Sequence, residues 1–215
     1  MKTGTRTLLC LTVLTLACGT LFAADQRVPD RVITLASGDI KPNVVNDAKL
    51  KTIFSNLGSK TDTYDSTNGW LVAGPNSSRG LQWIAMPFTP RADATVTQIQ
   101  SAVAYGNQGG INGFNLVLAA DSSGLPGKPL HSWDLKNLRL EDTCCKLDIA
   151  NYAKGVKVKK GTQYWVVSQT DSKSTTAVDG WSNTWNDSTG NFAFNKGSGW
   201  SLYNGTLSAF AVKGK

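Results

Sequence analysis

Short runs of β-forming residues, separated by turn residues, recur along the chain from residue 50 onward. Strand signals of this kind at intervals of 8–15 residues favour an antiparallel sheet structure with many tight turns. The sequence therefore predicts an all-β fold, an antiparallel β-sandwich of jelly-roll type with about ten short strands. The predicted strands cover residues 50–57, 69–72, 81–88, 94–105, 114–119, 130–138, 162–168, 180–186, 191–195 and 207–212.

Helical signals are weak in comparison. Glutamate is nearly absent, with Glu141 alone, while glycine, asparagine, threonine and serine are abundant, a composition that disfavours helices. No stretch keeps helical apolar spacing over three turns, although residues 46–55 could form one short helix. We therefore expect little helix.

The N-terminus has the layout of a secretory signal peptide over residues 1–24. Lys2 and Arg6 precede an apolar centre and a small-residue end, which predicts cleavage near Ala23 or Ala24. Residues 25–49 are interpreted as an N-terminal extension in which 31–35 could pair as an edge strand. Residues 50–215 form the predicted domain. The expected location is secreted or periplasmic, with no membrane span in the mature chain.

The chain carries 22 basic and 15 acidic residues, a net charge of +7, but the excess is dispersed. This balance favours loose contact with anionic surfaces and does not indicate nucleic acid as a partner. The one dense run contains Lys154, Lys157, Lys159 and Lys160. Lys157 alternates with Val156 and Val158, which is typical of an edge strand that lysines protect from mispairing.

Cys144 and Cys145 are the cysteines that remain after removal of the predicted signal peptide. In an oxidising compartment they could form a vicinal disulfide, which would be strained because adjacent Cα atoms lie about 3.8 Å apart. Two buried free thiols and links to another chain are the alternatives.

Aromatic and amide side chains are concentrated near the C-terminal end. Aromatic faces beside amide groups suit sugars, because the C–H faces of a sugar pack on rings while its hydroxyls find hydrogen-bonding partners. The alternative is that the tryptophans fill the core. The candidate ligand-binding residues are Trp181, Trp185, Trp200, Tyr203, Asn186 and Asn191.

No catalytic constellation is visible. His131 is the single histidine, and the chain lacks the Gly-x-Ser-x-Gly turn of many serine hydrolases. Aspartates could meet in space to form a hydrolase site, but no motif selects two of them. Asp121 is a weak calcium candidate in a turn, and no other metal and no cofactor is indicated.

Several segments, in order and covering roughly residues 50–214, resemble the bacterial secreted proteins grouped as the choice-of-anchor R domain. The resemblance implies an extracellular β-sandwich, often with a surface anchor near the C-terminus, and no assigned activity; here the chain ends on the domain itself. The most specific segments are Thr143-Cys144-Cys145-Lys146-Leu147 and Gly161-Thr162-Gln163-Tyr164-Trp165-Val166-Val167. The others are Gly69-Trp70-Leu71-Val72-Ala73-Gly74, Ala85-Met86-Pro87-Phe88-Thr89-Pro90, residues 121–129 and Ala209-Phe210-Ala211-Val212.

These observations predict a secreted, non-catalytic β-sandwich module, with extracellular or cell-envelope carbohydrate as the leading ligand class. A structural or assembly protein of the cell surface is the first alternative, and a hydrolase built on unidentified aspartates is the second. Oligomeric state and surface attachment are left open.

Overall fold

The computed structural model describes residues 28–33, 49–59, 63–106, 113–136, 138 and 145–215. This part of the chain contains fourteen strands and no helix, and all strand pairs are antiparallel. The predicted all-β antiparallel sandwich is confirmed. The strands are β1 (Arg31–Ile33), β2 (Lys51–Ser55), β3 (Asp65–Ala73), β4 (Trp83–Phe88), β5 (Ala94–Ser101), β6 (Val103–Tyr105), β7 (Gly113–Ser122), β8 (Leu125–Lys136), β9 (Asp148–Val158), β10 (Tyr164–Thr170), β11 (Val178–Asn183), β12 (Thr189–Asn195), β13 (Trp200–Thr206) and β14 (Phe210–Gly214).

The strands form three sheets. Sheet I has the order β1-β3-β11-β6, sheet II the order β13-β12-β4-β10-β7-β8, and sheet III the order β2-β14-β5-β9. Sheets I and III are joined where β5 leads into β6. There Ala102 accepts a backbone hydrogen bond from Ser182 of sheet I and donates one to Ala209, next to β14. The two four-stranded sheets thus make one layer of the sandwich, and sheet II makes the other.

The main core lies between these layers. Alternation along each strand sends every second side chain inward, so β4 contributes Ile84, Met86 and Phe88 while Trp83 and Ala85 point to the opposite face. Trp70 and Trp181 from sheet I are fully buried in the same core. Burial of such large side chains contributes roughly 1.5–3 kcal/mol each, which makes this core the main source of stability.

Sheet II also has a second apolar cluster on its other face, which we call the outer face. It contains Ala85, Val117, Ala119, Trp165, Val167 and Ala193, all buried. Sheet II is so strongly curled that Cα atoms of its two edge strands, β13 and β8, come within 8 Å of each other. The curl makes the outer face concave and explains how an outward-facing row can be apolar and still avoid solvent.

The edge strands show where the sequence predictions succeed and fail. β1 is an edge strand of sheet I, and β9 is an edge strand of sheet III with Lys157 exposed beside Val156 and Val158, as predicted. The helix considered over 46–55 is wrong at its C-terminal end, because Lys51–Ser55 pairs with β14. β13, which carries Trp200, was not predicted.

None of the described residues belongs to a helix that could cross a membrane.

Candidate functional site

The outer face of sheet II is organised in rows that run across the strands. The middle row crosses all six strands and contains mostly small apolar residues, in the order Leu202, Ala193, Ala85, Val167, Val117 and Ser132. Beside it lies a row in which Trp200, Asn195 and Trp83 are neighbours on β13, β12 and β4. We call these three residues the tryptophan row. Because neighbouring strands are about 4.8 Å apart, the backbones of its two tryptophans are roughly 10 Å apart.

A groove with a volume of about 200 Å³ runs along this concave face. Val117, Ala119 and Val167 form its base, and Trp83 and Trp200 line it from the strands that carry the tryptophan row. The β7–β8 hairpin supplies Pro126, Gly127 and Pro129, while Ser132 and Gln169 complete the lining. The volume is below the roughly 300–1,000 Å³ of pockets that enclose a small molecule. The groove is therefore suited to a short stretch of an extended ligand.

The indole N–H groups of five tryptophans differ in their hydrogen-bond partners. Those of Trp70, Trp133 and Trp181 donate to backbone carbonyls and that of Trp165 donates to Asp121, at 2.7–3.1 Å. The Nε1 of Trp83 is buried and has no hydrogen-bond partner among the described residues. A buried donor without a partner costs about 1–3 kcal/mol. Trp83 therefore carries an unsatisfied N–H beneath the surface of the sheet, while its ring lines the groove.

The polar groups of the groove are neutral. Gln169 and Ser132 offer an amide and a hydroxyl, and none of the described residues that line the groove is charged. Further along β8, Asp134 and Lys136 form an ion pair 3.3 Å apart that is largely exposed. An apolar base with neutral donors and acceptors can bind a ligand, but these lining residues offer no titratable group for proton transfer.

Asp121 supports the groove from the end of β7. Its Oδ1 accepts hydrogen bonds from Trp165 Nε1 and Gln163 Nε2, both at 2.8 Å, and its Oδ2 accepts one from the Gly124 N–H. Burial by itself raises the pKa of Asp121, but these hydrogen bonds outweigh it, so the pKa of the carboxyl lies below its ordinary value. Oδ1 thus accepts from Trp165 and Gln163 and Oδ2 from the turn, and the calcium role of Asp121 stays a prediction.

The aromatic candidates from the sequence do not form one cluster. Trp181 is fully buried and donates to the carbonyl of Ala209, so the core alternative is the correct one for this residue. Tyr203 faces the main core, where its ring packs edge-on against Trp70 and Phe192. The Trp181 ring is thus closed to a ligand, and the Tyr203 ring is partly buried against the core.

The remaining candidates lie at two separate places. Trp185, which is 51% exposed, and Asn186 occupy the turn that precedes β12. Asn191 lies on the outer face and accepts a hydrogen bond from Asn204 of β13, while Trp200 pairs with Asn195 at the far end of β12. The structure thus places Trp200 in the groove and Trp185 at the opposite end of the strand.

Cys145 and His131 are not among the residues that line the groove. Cys145 is buried and disulfide-bonded, while Cys144 lies outside the described residues. His131 stacks on Tyr152 with ring centroids 3.7 Å apart and contacts Trp133 edge-on. Within the described ranges no three His, Cys, Asp or Glu side chains come together as a metal site.

Of the ten residues that line the groove only Trp200 is among the sequence candidates, and Trp83 is the other tryptophan of the lining. The available signal was the alternation Trp83-Ile84-Ala85-Met86, in which large and small residues share a face opposite to the core side chains. The same face of the sheet carries Ala119 and Ala193 on other strands. Alanines that recur at outward positions of neighbouring strands indicate that another part of the chain or a ligand lies close to that face. This pattern includes Ala85 of β4, the strand that carries Trp83.

Comparisons with protein-family models, curated proteins and solved structures found no match for this chain.

Proposed function

We propose that this protein is a secreted, non-catalytic binding module that holds an uncharged carbohydrate polymer in the groove of sheet II. The observation that carries the proposal is that Trp83 and Trp200, on either side of Asn195, line a groove that has an apolar base and a neutral described lining. Export to the periplasm or beyond, predicted from residues 1–24, would bring the module to extracellular or envelope polysaccharides.

The chemistry of the groove supports a sugar ligand. Indole rings provide flat apolar surfaces for the C–H faces of sugar rings, and Gln169 and Ser132 provide hydrogen-bonding groups for hydroxyls. A peptide ligand would also present main-chain N–H and C=O groups. The apolar side chains at the groove base cannot form hydrogen bonds with those groups. The combination of ring faces with few polar groups therefore favours sugar.

The distribution of charge supports a neutral polymer over an acidic one. The chain has a net charge of +7, yet its lysines and arginines are absent from the described lining of the groove. An anionic polymer bound there would lose water without gaining a paired cation, which is unfavourable. Acidic polymers would instead bind weakly and in a salt-dependent way through the dispersed surface lysines.

Retention of the purified protein on insoluble chitin, cellulose and xylan tests the proposal. We expect Trp200→Ala and Trp83→Ala to weaken binding to the retained polysaccharide at least about tenfold, which corresponds to roughly 1.4 kcal/mol. Trp185→Ala is the matched control, since this tryptophan is exposed but lies outside the groove. Circular dichroism establishes that each variant keeps the β fold.

Failure of all neutral polysaccharides, including those on a glycan array, would contradict the proposed ligand class. Loss of binding in Trp185→Ala with full binding in Trp200→Ala would contradict the proposed site. Retention restricted to acidic polymers and abolished by salt would show that the surface lysines, and not the groove, are responsible.

Assembly at the cell surface is the second candidate function. Leu130 of β8 and Leu202 of β13 are 38% and 52% exposed, and both lie on the edge strands of sheet II that approach each other. Exposed apolar side chains at sheet edges favour protein contacts. Concentration-dependent self-association that Leu202→Lys removes, together with no polysaccharide binding, would favour this function.

Membership of the choice-of-anchor R group and secretion are part of the same proposal. The order of the matching segments supports the first, and the layout of residues 1–24 supports the second. N-terminal sequencing of the exported protein is expected to begin near Asp25. An uncleaved chain retained in the cytosol would contradict the proposed location.

A further inference from the structure

The N-terminal segment, residues 28–33, is held against the sandwich by a buried glutamine. Gln82 is fully buried, and its Nε2 donates to the carbonyls of Asp30 and Leu71 at 3.0 and 2.9 Å. Its Oε1 accepts a hydrogen bond from the Asp30 N–H at 2.9 Å. One side chain thus satisfies both main-chain groups of Asp30, next to the pairing of β1 with β3.

A lysine holds the same segment from another strand. Lys196 Nζ lies 3.2 Å from Asp30 Oδ1 and donates a hydrogen bond to the Val28 carbonyl at 3.0 Å. The lysine side chain is 18% exposed and the aspartate side chain 47%, so the ion pair is partly shielded from water. A shielded pair with a second hydrogen bond is stronger than an isolated surface pair.

Both anchoring residues are direct neighbours of the tryptophan row. Gln82 precedes Trp83 at the start of β4, and Lys196 follows Asn195 at the end of β12, where Asn195 pairs with both Trp83 and Trp200. We infer that Gln82 and Lys196 are positioning residues, through which the N-terminal segment holds the tryptophan row in its binding geometry. The inference deepens the proposed function and rests on it for the identity of the ligand.

The physical reason is preorganisation. Strand ends fray unless something holds them, and the row lies at the starts and ends of its strands. Residues 28 and 30 contact Gln82 at the start of β4 and Lys196 at the end of β12. These contacts are additional to the hydrogen bonds between the strands, so they restrain both strand ends together. A groove whose rings are already in place loses less conformational entropy when a polymer binds.

The test uses the full chain with Lys196→Met and Gln82→Met, which keep side-chain length while removing the contacts to residues 28 and 30. Lys157→Met is the matched control on the exposed face of β9. Without any ligand, we expect amide hydrogen exchange at Trp83 and over residues 195–200 to accelerate at least about fivefold, with β7 and β10 unchanged. Unchanged exchange in that region would overturn the inference, as would equal acceleration in all strands, which would indicate only general destabilisation.

Binding provides the second measurement. On a polysaccharide retained by the parent protein, Lys196→Met is expected to weaken affinity about fivefold or more, within the usual range of coupling between sites. By reciprocity, the same polysaccharide should slow exchange of the Asp30 and Arg31 amides. If the parent protein binds no polysaccharide, the proposed function fails, while the ligand-free exchange still decides whether the segment holds the row. If Gln82→Met does not fold, Lys196→Met alone decides.

Discussion

At the scale of single residues, the tryptophans of this protein differ in what satisfies their indole N–H. Trp165 and Trp181 are equally buried, but the first donates to a carboxylate that closes a turn and the second to a backbone carbonyl in the core. Trp83 has a buried N–H without such a partner in the described residues. A tryptophan N–H can therefore be satisfied by a core carbonyl, by a turn carboxylate or by neither, and its position in the sequence does not reveal which.

His131 gives a pH-dependent contribution to stability that can be isolated, because it is the single histidine of the chain. Burial lowers the pKa of His131 below its ordinary value of 6.5. As the pH falls from 7 to 5, the unfolded chain takes up the proton more readily than the folded one, so the free energy of unfolding decreases.

We predict that His131→Phe, which keeps a ring against Tyr152, loses this decrease. Urea unfolding at pH 7, 6 and 5 checks it: the parent protein should become less stable over this range, while the variant should stay nearly constant. An identical slope in both proteins would mean that His131 keeps its ordinary pKa in the folded state.

At the scale of strands, alternation and turn residues explain most of what the sequence predicts. Strands β4 and β10 are predicted from continuous apolar runs bounded by turn residues, and these runs are buried on both faces of sheet II. β13 does not follow from the sequence, because Ser201 and Asn204 interrupt the apolar pattern of a strand. Its extended structure depends on pairing with β12. The groove could not be predicted because it depends on the curl of sheet II.

Close packing of β14 against β5 gives a strand-scale prediction. A Cβ on Gly214 would meet the carbonyl of Thr95, whose backbone exchanges two hydrogen bonds with Lys215. Backbone cannot move aside without loss of that pairing, so Gly214→Ala should lower the free energy of unfolding by at least about 2 kcal/mol.

Gly190→Ala in β12 is the matched control for this prediction. There the new Cβ would meet only the side chain of Leu207, at 3.3 Å, and that side chain can shift. Chemical denaturation of the two variants measures the difference. An equal loss of unfolding free energy in both variants would show that β14 and β5 can move apart more easily than the structure indicates.

At the scale of the whole molecule, the two faces of sheet II have different environments. Its inner face completes the core with sheets I and III, and its outer face, closed by the approach of β13 to β8, leaves a neutral groove between tryptophans and prolines. The N-terminal segment is attached beside this groove and not at a distant edge. Fold, groove and segment together are the basis of the proposed binding function.

The most direct test of this account follows the indole N–H signals in a ¹H–¹⁵N spectrum while a soluble fragment of a retained neutral polysaccharide is added. The account predicts that the signals of Trp83 and Trp200 shift in a saturable way, while those of Trp70, Trp165 and Trp181 stay in place. A shift confined to Trp185, or no shift in any tryptophan at saturating polymer, would contradict it.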